Sequence, residues 1–251
     1  MEKAENGNNR FGLIGKNISY SFSKGYFTSK FKSLGLGQHS YENFDLDAIQ
    51  EFQELVKETG IMGFNVTIPY KEEIIPYLDA MDPQATSIGA VNTIKITPQG
   101  TKGYNTDAYG FEQSLKPHLK KHHKKALILG TGGASKAIGF VMDRLGIDFT
   151  YVSRNPKQFQ LAYNDLSKDV LTSYTVIVNC SPVGTFPNVM EKPQIPYGFL
   201  GNQHLLYDLI YNPQKTAFLK EGEERGATIT NGLAMLEFQA EKAWEIWNTP
   251  N

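Results

Sequence analysis

Cysteine is almost missing from this chain: Cys180 stands alone among 251 residues, so no disulfide can form within it, and a reducing compartment is its natural setting. Charge of one sign is also missing. The 25 basic and 26 acidic side chains leave a net charge of −1, with no long-range field to draw in nucleic acid or an anionic membrane. No apolar run approaches the ~18 residues that a membrane-spanning helix needs. The opening MEKAENGNNR lacks the apolar stretch of a secretory leader. Metal-ligand spacing is absent too: the adjacent His122 and His123 lie in the basic stretch KPHLKKHHKK (116–125) with no thiol or carboxylate nearby, and the stretch reads as a solvated spacer. The expectation is therefore a cytoplasmic protein without metal, nucleic acid or membrane among its partners, acting on small neutral or weakly charged molecules.

What is present is an alternation of strand-like and helix-like segments, the pattern of an α/β protein with mainly parallel sheets. Before the spacer, FGLIG reads as a strand, FSKGYFTSKFKSLG as a helix, SYENFDL as a strand, LDAIQEFQELVKETG as an amphipathic helix ending at Gly60, and GFNVTIP as a strand. AVNTIKITPQGTKGYNT reads as a hairpin turning at Pro98-Gln99-Gly100. After the spacer, ALILG, a Gly-rich turn, ASKAIGFVMDRLG and FTYVS form one βαβ unit; TVIVNC, LLYDL and ATIT supply further strands, and a last helix runs from about Leu233 to Trp247.

The Gly-rich turn LILGTGGASKA sets Gly130, Gly132 and Gly133 between a strand and a helix, where backbone N–H groups can approach a pyrophosphate at the positive helix end; Thr131 and Ala134 share the turn. The third glycine of such a fingerprint is Ser135 here. Past the second strand, where an acid would take the ribose hydroxyl of NAD, stand Ser153-Arg154-Asn155-Pro156-Lys157. A guanidinium at Arg154, helped by Lys157, suits the 2′-phosphate of NADP.

Three shorter stretches carry polar groups in positions suited to a small ligand. Ser21 and Ser23 form an i, i+2 hydroxyl pair after the first strand, Asn92 sits beside a strand, and Asp107 stands where a helix starts, a common place for a plain N-cap. Lys71 follows a buried strand; taken alone, it is a solvated lysine in the first turn of a helix begun by Pro69.

In their order along the chain these stretches resemble the shikimate dehydrogenase family. The resemblance runs from GLIG to the last helix through Ser21-Phe22-Ser23, NVTIPYK (65–71), GAVNT (89–93), NTD (105–107), GTGG (130–133), YDLIYNP (207–213) and NGLAMLEFQ (231–239). It implies an oxidoreductase that reversibly reduces 3-dehydroshikimate to shikimate with NADPH, on the route to chorismate and the aromatic amino acids. It also implies an N-terminal α/β substrate domain (1–108 with 235–251), a Rossmann-like NADP domain (109–234), and an active site in the cleft between them. By the same resemblance Lys71 and Asp107 are the catalytic pair at the reacting hydroxyl. Loss of hydride from a carbinol leaves a carbonyl only if the hydroxyl proton also departs, so Lys71 either carries that proton or stabilises the oxygen's charge. Ser21 and Ser23 take the carboxylate, Asn65, Thr67, Asn92 and Gln239 the remaining polar groups, with Tyr211 alongside. Asn179, Ser181, Gly184 and Gly232 are placed near the nicotinamide, and Cys180 reads as a small buried residue beside them rather than a nucleophile. Thr185 stands where the family usually has Met, and Gln158 where a second arginine is expected. A quinate/shikimate dehydrogenase with relaxed NAD/NADP use and a non-catalytic ligand sensor remain as alternatives, and the assembly expected is a monomer or homodimer.

Overall fold

The protein, seen in a computed structural model, is described here at residues 9–19 and 21–250. The stretch read above for the absence of a leader therefore lies outside the described residues up to position 8. Two six-stranded sheets form, each in its own unit of the chain: one unit runs up to Thr106 and resumes at Ala240, and the other is Asp107–Gln239.

In the first unit the chain forms β1 (Arg10–Gly15), α1 (Phe22–Ser33), β2 (Ser40–Asp45), α2 (Phe52–Leu55), β3 (Ile61–Val66), β4 (Ala80–Met81), α3 (Pro83–Ile88), β5 (Thr93–Thr97) and β6 (Gly100–Tyr104). The strand order is β2-β1-β3-β5-β6-β4. β1 pairs parallel with β2 and β3, whereas the hairpin β5–β6 pairs antiparallel with β3 and within itself. Side chains of period two split the burial between the two faces. Ile14, Phe64 and Val66 enter a core with Ile49, Phe52 and Ile74, while Phe11 and Leu13 enter another with Phe27, Phe31 and Tyr41.

The second unit contains α4 (Asp107–Leu115), β7 (Lys125–Leu129), α5 (Gly133–Arg144), β8 (Asp148–Ser153), β9 (Leu161–Ala162), α6 (Lys168–Ser173), β10 (Val176–Asn179), β11 (Leu205–Asp208), α7 (Ala217–Glu223), β12 (Thr228–Thr230) and the start of α8 (Leu233–Asn248). All its pairings are parallel, in the order β12-β11-β10-β7-β8-β9. The order reverses between β7 and β10, which is the doubly wound, Rossmann-like arrangement. The division into units falls within α8, whose later residues Ala240, Ala243 and Trp247 join the first unit's core at helical spacing.

Three expectations are corrected. LDAIQEFQELVKETG is not one long helix but a 3₁₀ turn at Ile49–Glu51 and the single turn α2. Its buried residues Leu46, Ile49, Phe52 and Leu55 recur every third position, which suits tight turns better than a 3.6-residue helix. No helix begins at Pro69. The segment runs in successive turns, and the Lys71 carbonyl that helix propagation needs accepts instead from Val91 N at 2.7 Å. The basic spacer is not solvated throughout, because His123 is buried, with Nδ1 accepting from Lys120 N (3.0 Å) and Nε2 against Gln203 O (3.2 Å).

Gly63 shows how tightly the first unit is packed. Trp247 Nε1 donates to Ile94 O at 2.9 Å, and a Cβ on Gly63 would lie 2.3 Å from that nitrogen and 2.6 Å from that carbonyl. Gly63→Ala is expected to destabilise by about 2 kcal/mol through overpacking. Scanning calorimetry should show a transition lowered by roughly 5 °C; an unchanged transition would show that Trp247 is loosely held.

Candidate active-site residues

One edge of the first sheet collects the polar side chains. The parallel strands β1 and β3 end there, the antiparallel β5 begins there, and β6 ends there at Tyr104, three residues before Asp107. Register aligns Leu13 with Asn65, Asn65 with Thr93, and Thr93 with Tyr104. Strands of mixed direction thus bring residues from positions 21 to 106 to one edge.

These side chains form a continuous buried hydrogen-bond chain. Ser21 caps α1, its Oγ accepting from Ser23 N at 3.2 Å. The buried Ser23 hydroxyl bonds Tyr41, whose phenol is pushed well above its usual range by burial and so stays an O–H donor. Tyr41 OH donates to Asn65 Oδ1 at 2.8 Å, which turns the Asn65 amide nitrogen toward Thr93 Oγ1 (3.1 Å) and Asn92 O (3.3 Å). Asn92 continues the chain. Its Nδ2 donates to Thr106 Oγ1 at 3.0 Å, and its Oδ1 accepts from Thr106 N at 2.7 Å and from Thr93 Oγ1 at 3.2 Å. Asn105 is fixed through Nδ2 to Ala90 O at 2.9 Å. Polar groups so deeply buried are tolerable because they satisfy one another.

Thr67 and Lys71 leave the end of β3, both half-buried. Thr67 N donates to Ile14 O (2.8 Å), and Tyr70 OH donates to Leu46 O (2.7 Å), so the turn carrying Lys71 is pinned on both sides. Asp107 is buried and is the first residue of α4, where a negative charge meets the positive helix end.

In the second unit, Gly130 follows β7 with φ +111°, and a Cβ there would lie 3.4 Å from the backbone of Cys180 and Ser181 beyond β10. It is this positive φ, more than the ordinary 3.4 Å contact, that calls for glycine at the topological switch point. Gly132 is the N-cap of α5, has open space where a Cβ would point, and is followed by a first turn without acidic residues. Ser135 fills the third fingerprint position by donating its hydroxyl to Gly132 O at 2.6 Å. The close helix–strand approach falls instead at Gly139, where a Cβ would come 2.5 Å from Tyr151 OH. Thr131 is exposed and Ala134 half-buried. Beyond β8, Ser153 Oγ accepts from Asn155 N (3.2 Å), and Arg154 and Lys157 project as exposed cations.

The end of β10 is more deeply built. Asn179 is fully buried; its Oδ1 accepts from Ser181 N (3.0 Å) and Ser181 Oγ (2.6 Å), and its Nδ2 donates to Asp208 Oδ1 (3.0 Å). Asp208, also fully buried, takes Thr216 Oγ1 (2.6 Å) and Ile210 N (3.1 Å) as well. Burial pushes its carboxyl up to about 6, against the three hydrogen bonds that favour the charged form. Burial also raises the Cys180 thiol, which makes it a poor nucleophile. Gly232 passes so close to Leu209 O that a Cβ would sit 2.0 Å away. Tyr211 is half-buried and Gln239 buried; a Cβ on Gly110 of α4 would lie 3.1 Å from Gln239 Cβ.

Sequence reasoning missed Tyr41, Thr93 and Thr106 as links of the first network, and Asp208 and Thr216 as the anchor of the second. The signal for Asp208 was present as an acid closing the apolar strand LLYD. Among the described residues no cluster of His, Cys, Asp or Glu could hold a metal ion, and no helix is long and apolar enough to cross a membrane.

Comparison with known proteins adds the chemistry. The family profile of the shikimate dehydrogenase substrate binding domain matches residues 13–94. The shikimate dehydrogenase (NADP(+)) of Clostridium botulinum is 39% identical over 247 residues, covering 94% of this chain and 95% of its own. That of Methanococcus vannielii is 37% identical over 258 residues, covering 94% and 90%. The crystal structure of the Thermus thermophilus shikimate 5-dehydrogenase in complex with NADP(H) and shikimate superposes with a TM-score of 0.84 at 29% identity, covering 96% of this chain and 93% of that one.

Asp208 makes a pH-dependent contribution whose sign is fixed. Its carboxyl binds a proton more tightly in the folded chain, at about 6, than at the ordinary 3.8, so its contribution to stability is fully present below about pH 4 and is lost as the pH rises through 6. Relative to Asp208→Asn, the wild type should lose about 2 kcal/mol between pH 4 and pH 7. Urea titrations of both proteins across that range measure it, and a difference independent of pH would contradict it.

Proposed function

The chain belongs to the shikimate dehydrogenase family, and on that premise we propose how its residues divide the work of the reaction. The enzyme is an NADP-dependent oxidoreductase that interconverts 3-dehydroshikimate and shikimate, on the route to chorismate and the aromatic amino acids. Its small-molecule partners are shikimate and NADP. We place it in the cytoplasm, a reading the lone cysteine favours, and expect a monomer or homodimer.

The observation that carries the assignment of roles is the buried network from Ser23 to Thr106, which spends fixed, uncharged polar groups on one sheet edge. A ring acid with one carboxylate and several hydroxyls asks for such neutral donors and acceptors. Ser21 and Ser23 receive the carboxylate. Asn65, Thr67, Asn92, Tyr211 and Gln239 receive the remaining groups. Lys71 and Asp107 serve the reacting oxygen: as the carbinol becomes a carbonyl, its proton must leave, and in reverse the oxygen's growing charge must be met. A neutral amine or the Asp107 carboxylate can take the departing proton and an ammonium can meet the growing charge, each best when the lysine backbone is held, as the Lys71 carbonyl is by Val91.

The residues present also fit NADP, which supplies the hydride acceptor and donor. The twelve-residue α5 offers N–H groups with no acid in its first turn, Gly130 and Gly132 leave room for close backbone approach, and Thr131, Gly133 and Ala134 complete the turn. Arg154 and Lys157, after Ser153, suit the 2′-phosphate. Asn179, Ser181 and Gly232 take the nicotinamide end. The expected domain assignment follows: shikimate is held chiefly by the first unit and NADP by the second.

Purified protein given shikimate and NADP should form NADPH, with quinate and NAD as poorer partners; equal use of all four would favour the quinate/shikimate alternative. Lys71→Ala should lower kcat by about 10²–10⁴-fold while the KM for shikimate rises far less. An unaltered kcat would remove Lys71 from the reaction, whereas a wild type that binds shikimate but forms no NADPH would leave the sensor reading in its place. Arg154→Ala should raise the KM for NADP about tenfold or more and leave that for NAD unchanged; equal effects would deny it the 2′-phosphate.

A further inference from the structure

Asp208 has no place in the roles assigned so far, although it is the most costly polar group in the second unit. It is fully buried, and its bonded partners are neutral: Asn179 Nδ2 at 3.0 Å, Ile210 N at 3.1 Å and Thr216 Oγ1 at 2.6 Å. A buried carboxylate held by neutral dipoles alone is expensive to keep, and hydrophobic packing at the end of β11 would be cheaper. What it does is directional. An ionised carboxylate only accepts, so Asn179 must turn its NH₂ toward Asp208 and its carbonyl away. That carbonyl then takes both Ser181 N (3.0 Å) and Ser181 Oγ (2.6 Å), while Ser181 Oγ accepts from Val183 N at 3.4 Å. The orientation of one carboxylate is thereby passed to the turn after β10.

We propose that Asp208 is a positioning residue for the nicotinamide end of the cofactor, acting through Asn179 and Ser181. The proposal rests on the reading that this turn receives the nicotinamide. Thr216 is its third anchor: its hydroxyl proton goes to Asp208, and its oxygen accepts from Leu219 N at 3.3 Å as the N-cap of α7. Acid, amide and cap thus tie the ends of β10 and β11 and the start of α7 to one another. Cys180 and Tyr197 sense the Asp208 charge, and burial keeps both neutral; among the described residues no cation is hydrogen-bonded or ion-paired to the carboxylate.

Calorimetric titration with two ligands separates positioning from mere support. NADP carries a nicotinamide; adenosine 2′,5′-bisphosphate carries only the adenine side. Asp208→Ala should weaken NADP about tenfold or more and leave adenosine 2′,5′-bisphosphate within about twofold, whereas Asp208→Asn, which keeps one acceptor, should weaken NADP about threefold. Thr216→Val should weaken NADP a few fold, and Thr216→Ser should restore it. Unchanged NADP affinity, or equal loss for both ligands, overturns the positioning role. If the Asp208 variants fail to fold, the Thr216 pair decides: Val weaker with Ser restored upholds the role, and no difference between them overturns it. A wild-type protein that binds neither ligand refutes the cofactor reading itself.

Discussion

The side-chain amide of Asn92 is the interaction on which the first unit turns. Its oxygen accepts from the Thr106 backbone at 2.7 Å and its nitrogen reaches the Thr106 hydroxyl at 3.0 Å, so the chain leaving β6 is tied to the chain entering β5 at the point where Asp107 follows. The tie reinforces the backbone bond by which Asn92 N donates to Tyr104 O at 3.0 Å. Because β5 and β6 are inserted antiparallel beside the parallel β3, their ends share its edge, and the Lys71 turn, held by Val91, leaves from that edge too. Topology thus supplies proximity, and buried amides supply orientation.

The second unit applies the same economy to a different ligand. Its parallel sheet reverses order between β7 and β10, and Gly130 at the end of β7 turns with a positive φ of +111° beside the backbone of Cys180 and Ser181. The glycine turn and the start of α5 lie on one side of the crevice between these strand ends. On the other, Asp208 orients Asn179 and Ser181. In both units the buried polar side chains are neutral or locally satisfied, while Arg154 and Lys157 stand exposed.

Much of this was legible in the sequence. Short apolar strands and the strand–glycine–helix turn at Gly130 pointed to the Rossmann-like unit, and the ordered motifs named the family before any geometry was known. What stayed illegible has a common cause: the outcome depended on partners distant in the chain. The segment after β2 buries every third residue, a choice set by the core it meets and not by its own helix propensity. The Pro69 segment gives up a helix because Val91 claims the Lys71 carbonyl, and His123 is buried because the carbonyl of Gln203 is there to receive it. Tyr41, Thr93, Thr106, Asp208 and Thr216 are ordinary residues in one dimension; they become machinery only when a second strand lies beside them.

The central claim is that Lys71 and Asp107 serve one oxygen as a unit. A double-mutant cycle on kcat with Lys71→Ala, Asp107→Asn and the combined variant tests it most directly. Partners in one proton-handling step should give a double variant about as slow as the slower single one. Losses that multiply, each residue costing its full factor independently of the other, would contradict the account.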